Sequence, residues 1–381
     1  MGRPMRILTS AAVAALLIAP SAVQAEEISA VDLSGTFTVD TVATLGGDSD
    51  ARARVLTNLD LIAELDLAQL AGWDGTHAHV HVIDNRGARP NDAAGTLQGV
   101  DNIEVAVPGT RLFEAWVEQD FGSAAVLTGL YDVNSEFYAN ESAGLLVAPA
   151  FGIGSEFAAT GPSGPSIFPS SALAVRVRIP VATGRARIQL AALNAQARTL
   201  GDGGGIDVSF REGLLLVGEA GLVEGPVRAS LGGWAYTKPR DDVFHGTAES
   251  RKPWGGYALM EASLTTNLTA FLRAGFSEGH TSPFSGGLQA GTLLTPVFAD
   301  RKESAFSIGF NQAWINDCYR AFLRTDGASP STVEQAYAAT YADTLFDGIG
   351  VQGDVQWIRH PGGLADAQDA LVTTLRLTFA F

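Results

Sequence analysis

The chain has 381 residues, 41 acidic against 25 basic side chains, a net charge of −16, 46 % hydrophobic residues and only 17 % charged ones. That hydrophobic share excludes a disordered chain, and the acidic balance argues against a nucleic-acid binder, which needs a basic face for phosphates. The lone cysteine, Cys318, excludes an intrachain disulfide framework and a cysteine-rich zinc cluster.

The first residues read as an export signal. Arg3 and Arg6 form the basic start, Ala11 to Ala19 the apolar centre, and Val23-Gln24-Ala25 a small-residue cleavage site. The centre is too short to span a bilayer, which takes about 20 apolar residues. Residues 1–25 are expected to be removed, so the mature chain starts at Glu26 and its charge moves from −16 to −18.

From there the pattern is period two. Between Val31 and Leu45 the odd positions carry Val31, Leu33, Phe37, Val39 and Leu45, and the even ones carry Asp32, Ser34, Thr36, Thr38 and Asp40. Val55 to Leu67 repeats the alternation, Leu268 to Phe276 and Val351 to Trp357 do so in shorter form, and Leu371 to Phe381 closes the chain. Gly46-Gly47-Asp48-Ser49, Asp84 to Gly87, Gly201 to Gly205 and His360 to Gly363 punctuate it as turns. No apolar run after the signal is long enough for a membrane helix.

An all-β chain of this kind is either a soluble sandwich or a membrane barrel. Sandwich strands usually run to about 5–6 residues. The longest alternating segments here are twice that, and a tilted membrane strand needs about 9–11. The mature 356 residues, shared among about 16 strands, leave roughly 22 for each strand and its connection. The predicted fold is therefore a transmembrane antiparallel β-barrel of about 16 strands, of the outer-membrane porin type, over residues 26–381. Leu375, Leu377, Phe379 and Phe381 form a terminal strand of the kind that outer-membrane barrel-assembly machinery reads.

Several segments resemble the carbohydrate-selective porins, the OprB family. Gly129-Leu130-Tyr131-Asp132-Val133-Asn134-Ser135-Glu136-Phe137 is similar to a family signature, and the run from Gly152 to Pro169 to the segment that follows it. Leu70 to Gly75, Arg111 to Trp116 and Gln356 to Gly363 resemble further family blocks. The resemblance spans nearly the whole mature chain. It implies a 16-stranded outer-membrane barrel through which sugars diffuse inward, with lipid and the assembly machinery as its other partners.

A porin works through its wall, so strand phase names the candidates. Leu173, Val175, Val177 and Ile179 take the lipid phase, which turns Arg176 and Arg178 inward. Ala186, Ile188 and Leu190 do the same for Arg185 and Arg187, so four guanidinium groups are expected on one lumen wall if Thr183-Gly184 is a hairpin turn. Guanidinium offers five fixed donors that suit sugar hydroxyls. Arg273, between Leu272 and Ala274, has the lumen phase too.

Glu114 and Glu118 alternate with Phe113, Ala115 and Val117 and are read as inward, setting a transverse field against the arginines. As a glycosidase pair they fail, because residues four apart on a strand stand about 13 Å apart, beyond either catalytic spacing. Trp234 and Tyr236 either stack on sugar rings in the lumen or belong to the aromatic girdle at the rim. Trp357 and Phe379 fit the girdle. His77, His79 and His81 share one face, but the outer pair is too far apart for a common metal, so they read as lumen wall. No catalytic residue, metal or cofactor is expected. The run from Tyr138 to Pro169 is too long for a hairpin turn and is expected to fold inward and narrow the pore.

The reading is an outer-membrane porin for passive diffusion of sugars and other small hydrophilic solutes. A general or anion-preferring porin has the same fold with a different wall. A secreted β-rich carbohydrate-binding protein or enzyme is the rival from another class.

Overall fold

The structure, a computed structural model, describes residues 29–46, 52–181, 184–242 and 250–381. The predicted export signal and Thr183 lie outside these residues. No helix among the described residues is long and apolar enough to cross a membrane.

Sixteen antiparallel strands among the described residues close into one barrel. In chain order β1 to β5 are Val31–Leu45, Ala53–Asp66, Thr76–Gly87, Gly109–Asp120 and Ala125–Tyr131. The strands β6 to β9 are Ala172–Val181, Ala186–Asn194, Leu214–Glu224 and Val227–Tyr236. The strands β10 to β13 are Trp254–Ser263, Leu268–Ser277, Phe284–Leu294 and Ala305–Ile315. Then β14 to β16 are Val333–Phe346, Ile349–Arg359 and Ala370–Ala380. A two-residue ladder, Arg240–Asp241 with Ser250–Arg251, stands outside the barrel. Each strand pairs with its sequence neighbours, and β16 returns to β1, so no edge remains unpaired.

The last residue takes part in that closure. Gly35 N donates to Phe381 O at 2.8 Å and Phe381 N donates to Gly35 O at 3.0 Å. The Phe381 ring occupies the space a side chain at residue 35 would fill, which only glycine leaves open.

The burial pattern is inverted relative to a soluble protein. Val55, Leu61, Val175, Ile188, Leu190, Leu216, Leu231, Leu272, Ile308, Val355 and Leu375 are exposed on the outside. Asp40, Asn58, Arg176, Gln189, Glu219, Arg273, Asn311 and Gln356 are buried on the inside. Period-two alternation does this, since adjacent side chains on a strand point to opposite faces. Trp357 stacks on Tyr337, and Trp254 meets Phe276 edge-on, all four on the outer face near one rim. Phe37 and Phe379 lie together near the other. Such rings suit the two membrane–water interfaces.

The connections are long at one end and short at the other, the ordinary asymmetry of porins. Two of the long ones turn into the lumen. Residues 88–108 bury Val100 and Ile103 against Val42, Leu56, Ala336, Ile358 and Val372. Residues 132–171 carry three short 3-10 turns and the helical turn Ser155–Ala158, and bury Phe137, Tyr138, Phe151 and Phe157. A nine-residue helix, Asp317–Thr325, occupies the connection before β14.

Candidate functional site: the lumen and its inward loop

One β-bulge changes the phase of β4. His81 pairs with Glu114, but Val82 pairs with Leu112, so Phe113 is the extra residue. Phe113 therefore turns inward as well. It is buried, meeting the edge of His81 and of Phe168. Plain alternation with Glu114 would put it on the lipid face. Glu114, Trp116 and Glu118 follow on the inner face.

On the wall from β4 to β6, Glu118, Leu127 and Arg176 stand side by side across three strands. Leu127 is buried, and the charged pair meets over it. Arg176 reaches Glu118 at 2.6 Å and Glu136, in the inward loop, at 2.6 Å. Arg178 bonds the same two carboxylates at 2.9 and 3.1 Å. Tyr131 OH donates to Glu136 at 2.7 Å. These arginines and carboxylates thus form one bonded cluster, not two walls facing each other across a field. The side chain of Arg176 is 3 % exposed and that of Arg178 27 %.

Arg187 stands 3.4 Å from Glu219 and keeps 43 % of its side chain exposed. Arg185 does not join them. It precedes β7, opposes Glu224 at 3.5 Å, and is 68 % exposed. Phase fixes the side of a strand but not the height along it, and Arg185 falls at the rim.

Arg273 faces the lumen and is completely buried by the inward loop. It donates to Ala150 O at 2.7 Å, Gly152 O at 2.8 Å and Tyr138 O at 3.3 Å, with its guanidinium 5.5 Å from the Tyr138 ring centre. Both terminal nitrogens are thus engaged by loop carbonyls. Trp234 and Tyr236 face inward too, but under the loop. Trp234 stacks on Phe157, and Tyr236 OH lies 3.2 Å from Thr160 Oγ1.

Carboxylates on the wall hold the loops by their backbone amides. Glu219 accepts from Tyr138 N and Tyr257 OH, and Glu261 from Ser142 N. Glu334 accepts from the amides of Leu97, Gln98 and Gly362. Glu156 answers from the loop side, accepting from Tyr138 OH at 2.8 Å. Burial pushes its carboxyl above the ordinary range, against the opposing pull of Tyr138 and Arg273. Gly275 and Gly287, on the inner faces of β11 and β12, make room for it: a Cβ at Gly275 would fall 1.9 Å from Glu156 Oε1. Period-two phase named Arg273 but neither these glycines nor Glu219, Glu261 and Glu334. Small residues at inward positions of neighbouring strands were the available signal.

A closed barrel with an outer apolar face, a charged lumen and a loop strapped inside is porin geometry. Residues 50–381 match the family described as carbohydrate-selective porin, OprB family. The chain belongs to that family. This porin matches the high-pH structure of Pseudomonas putida OprB at 20 % identity and TM-score 0.82, over 92 % of this chain and 94 % of that one. The low-pH structure of the same protein matches at 16 % identity and TM-score 0.58, over 92 % and 93 %. The outer-membrane channel DcaP of Acinetobacter baumannii matches at 12 % identity and TM-score 0.60, over 92 % and 97 %. No curated protein matches the chain by sequence. Family and fold are those of a channel for carbohydrates and other small hydrophilic solutes, not of an enzyme.

In this porin the signature from Gly129 to Phe137 has a local physical meaning. The Asp132 side chain caps the turn Val133–Ser135 by accepting from Asn134 N at 2.8 Å, and the turn presents Glu136 to Arg176. His79 and His81 face the lumen beside Glu114, while His77 lies exposed near the rim.

Proposed function

We propose that sugars cross the barrel along the wall left free by the inward loop. Arg178, Arg187 and Glu118 meet the solute, and Arg176 holds the cluster in place. The observation that carries this is unequal exposure. Arg178 and Arg187 keep open surface beside carboxylates, whereas Arg273, Trp234 and Tyr236 are covered. A guanidinium held by a carboxylate still has donors and a flat face for hydroxyls and pyranose rings. Transport is passive, with size set by residues 132–171.

Liposome swelling with mono- and disaccharides, on wild type and the Arg178→Ala, Arg187→Ala double variant, tests this. Slower sugar entry in the variant, at equal channel number, is expected. Unchanged sugar rates remove this wall from the mechanism. A current through planar bilayers that no sugar affects favours a general porin instead.

The outer membrane is the proposed location, after cleavage near Ala25. The pairing of Phe381 with Gly35 at the closing seam supports the C-terminal strand as the assembly signal. Deleting Phe381 is expected to lower the amount of assembled barrel in outer-membrane fractions.

A further inference from the structure

We propose that His79, His81 and Glu114 bind a first-row divalent cation, zinc foremost, on the inner wall of the barrel. The two histidines are neighbours on one face of β3, and the β4 bulge sets Glu114 opposite His81. One ligand atom of each lies within 4.8 Å of the others, and all three side chains are buried. His79 Nε2 stands 3.8 Å from Glu114 Oε2. Zinc bonded at about 2.0–2.1 Å in a tetrahedron wants its ligand atoms about 3.3 Å apart. Small side-chain rotations close that difference.

A second observation points to the same place. His79 Nε2 is buried and has no hydrogen-bond partner among the described residues. It is the nitrogen that faces Glu114, and a buried ring nitrogen is seldom left unmatched.

The surrounding groups hold these ligands as outer-shell partners do in metal sites. Glu64 Oε1 lies 2.6 Å from His79 Nδ1, and Asp60 Oδ1 lies 2.9 Å from His81 Nε2. A carboxylate on one imidazole nitrogen fixes the ring and strengthens the other nitrogen as a ligand. Glu114 Oε1 is already occupied by Asp132 N at 3.0 Å and Trp116 Nε1 at 3.3 Å, which leaves Oε2 to the metal. Trp116 also stacks on His79, ring centres 4.9 Å apart and planes 11° from parallel.

Two imidazoles and a carboxylate select zinc-like ions over calcium or magnesium, which take oxygen ligands. The fourth position falls to water. This proposal departs from the expectation of no metal. His77 and His81 are too far apart on one strand to share an ion, but here two neighbouring histidines are joined by a third ligand from the adjacent strand.

The test uses the full mature porin in detergent, stripped with chelator, equilibrated with zinc and washed. Atomic emission is expected to find one zinc per chain. His79→Gln and Glu114→Gln are each expected to bind at least about tenfold more weakly, and His77→Ala to bind like wild type. No zinc on wild type, or equal zinc on His79→Gln, overturns the proposal. X-ray absorption at the zinc edge of wild type reads the ligands without any variant. Two imidazoles support the site; one or none overturns it. Neither outcome depends on which solute crosses the barrel.

Discussion

Trp234 on the barrel wall and Phe157 in the inward loop lie face to face, ring centres 5.0 Å apart and planes 4° from parallel. A lumen-facing Trp in a sugar channel invites a sugar-stacking role. Here its face is taken by the protein's own loop, so the stack ties that loop to the wall.

Trp234→Ala therefore acts on the loop before it acts on the solute. Truncating a buried Trp costs about 3–5 kcal/mol, of which the aromatic pair is about 1. The loop should become accessible to protease, and liposome swelling should admit larger sugars than wild type does. A variant with unchanged size cutoff and an unchanged cleavage pattern contradicts this role.

Gly275→Val tests the seat of Glu156. Its first side-chain carbon meets Glu156 Oε1 at 1.9 Å and Tyr138 OH at 2.6 Å, so the helical turn Ser155–Ala158 must move. Higher single-channel conductance is expected. Gly353→Ala, where an added Cβ meets nothing within 4 Å among the described residues, is expected to behave like wild type.

Arg176 and Arg178 share two carboxylates but not one environment. Arg176→Ala leaves Glu118 and Glu136 without their buried partner, a loss of about 3–5 kcal/mol for a broken buried pair. Arg178→Ala removes a partly solvated partner and should cost less. Heat-modifiable migration should shift to clearly lower temperature in the first variant and only slightly in the second. Equal shifts would place the two arginines in equivalent roles.

The lipid face was legible in the sequence because alternation alone decides it. Val175 and Leu190 outside, Arg176 and Gln189 inside, follow from period two. Four things were not legible. The bulge at Phe113 adds a residue that alternation cannot register, so the inward phase read from Glu114 and Glu118 holds after it but sends Phe113 to the wrong face. Arg185 has the same phase as Arg187, but nothing in the pattern says that the strand begins after it. Arg273 reads as a solute contact because phase gives direction without saying what fills the space opposite. The 88–108 connection, which folds inward beside β1 and β14 to β16, has no periodic signal at all.

The Glu156 carboxyl predicts a pH dependence with a definite sign. Burial raises its folded pKa above the ordinary 4.5, so the packed loop binds its proton more tightly than the unfolded chain does. The stability this contributes is complete below pH 4.5 and is lost as pH rises through the raised value. The groups facing it are Tyr138 and Arg273. The melting temperature of wild type minus that of Glu156→Gln should therefore fall as pH rises. A difference that stays flat, or grows with pH, contradicts the buried, proton-favouring seat.

On the proposed function, sugars diffuse through this barrel past a loop-narrowed wall. Swelling of proteoliposomes in isosmotic sugars of graded size measures it directly. Rapid entry of monosaccharides, a steep fall with size, and a relaxed cutoff in Gly275→Val are expected. Swelling no faster than in protein-free liposomes for every sugar would contradict it.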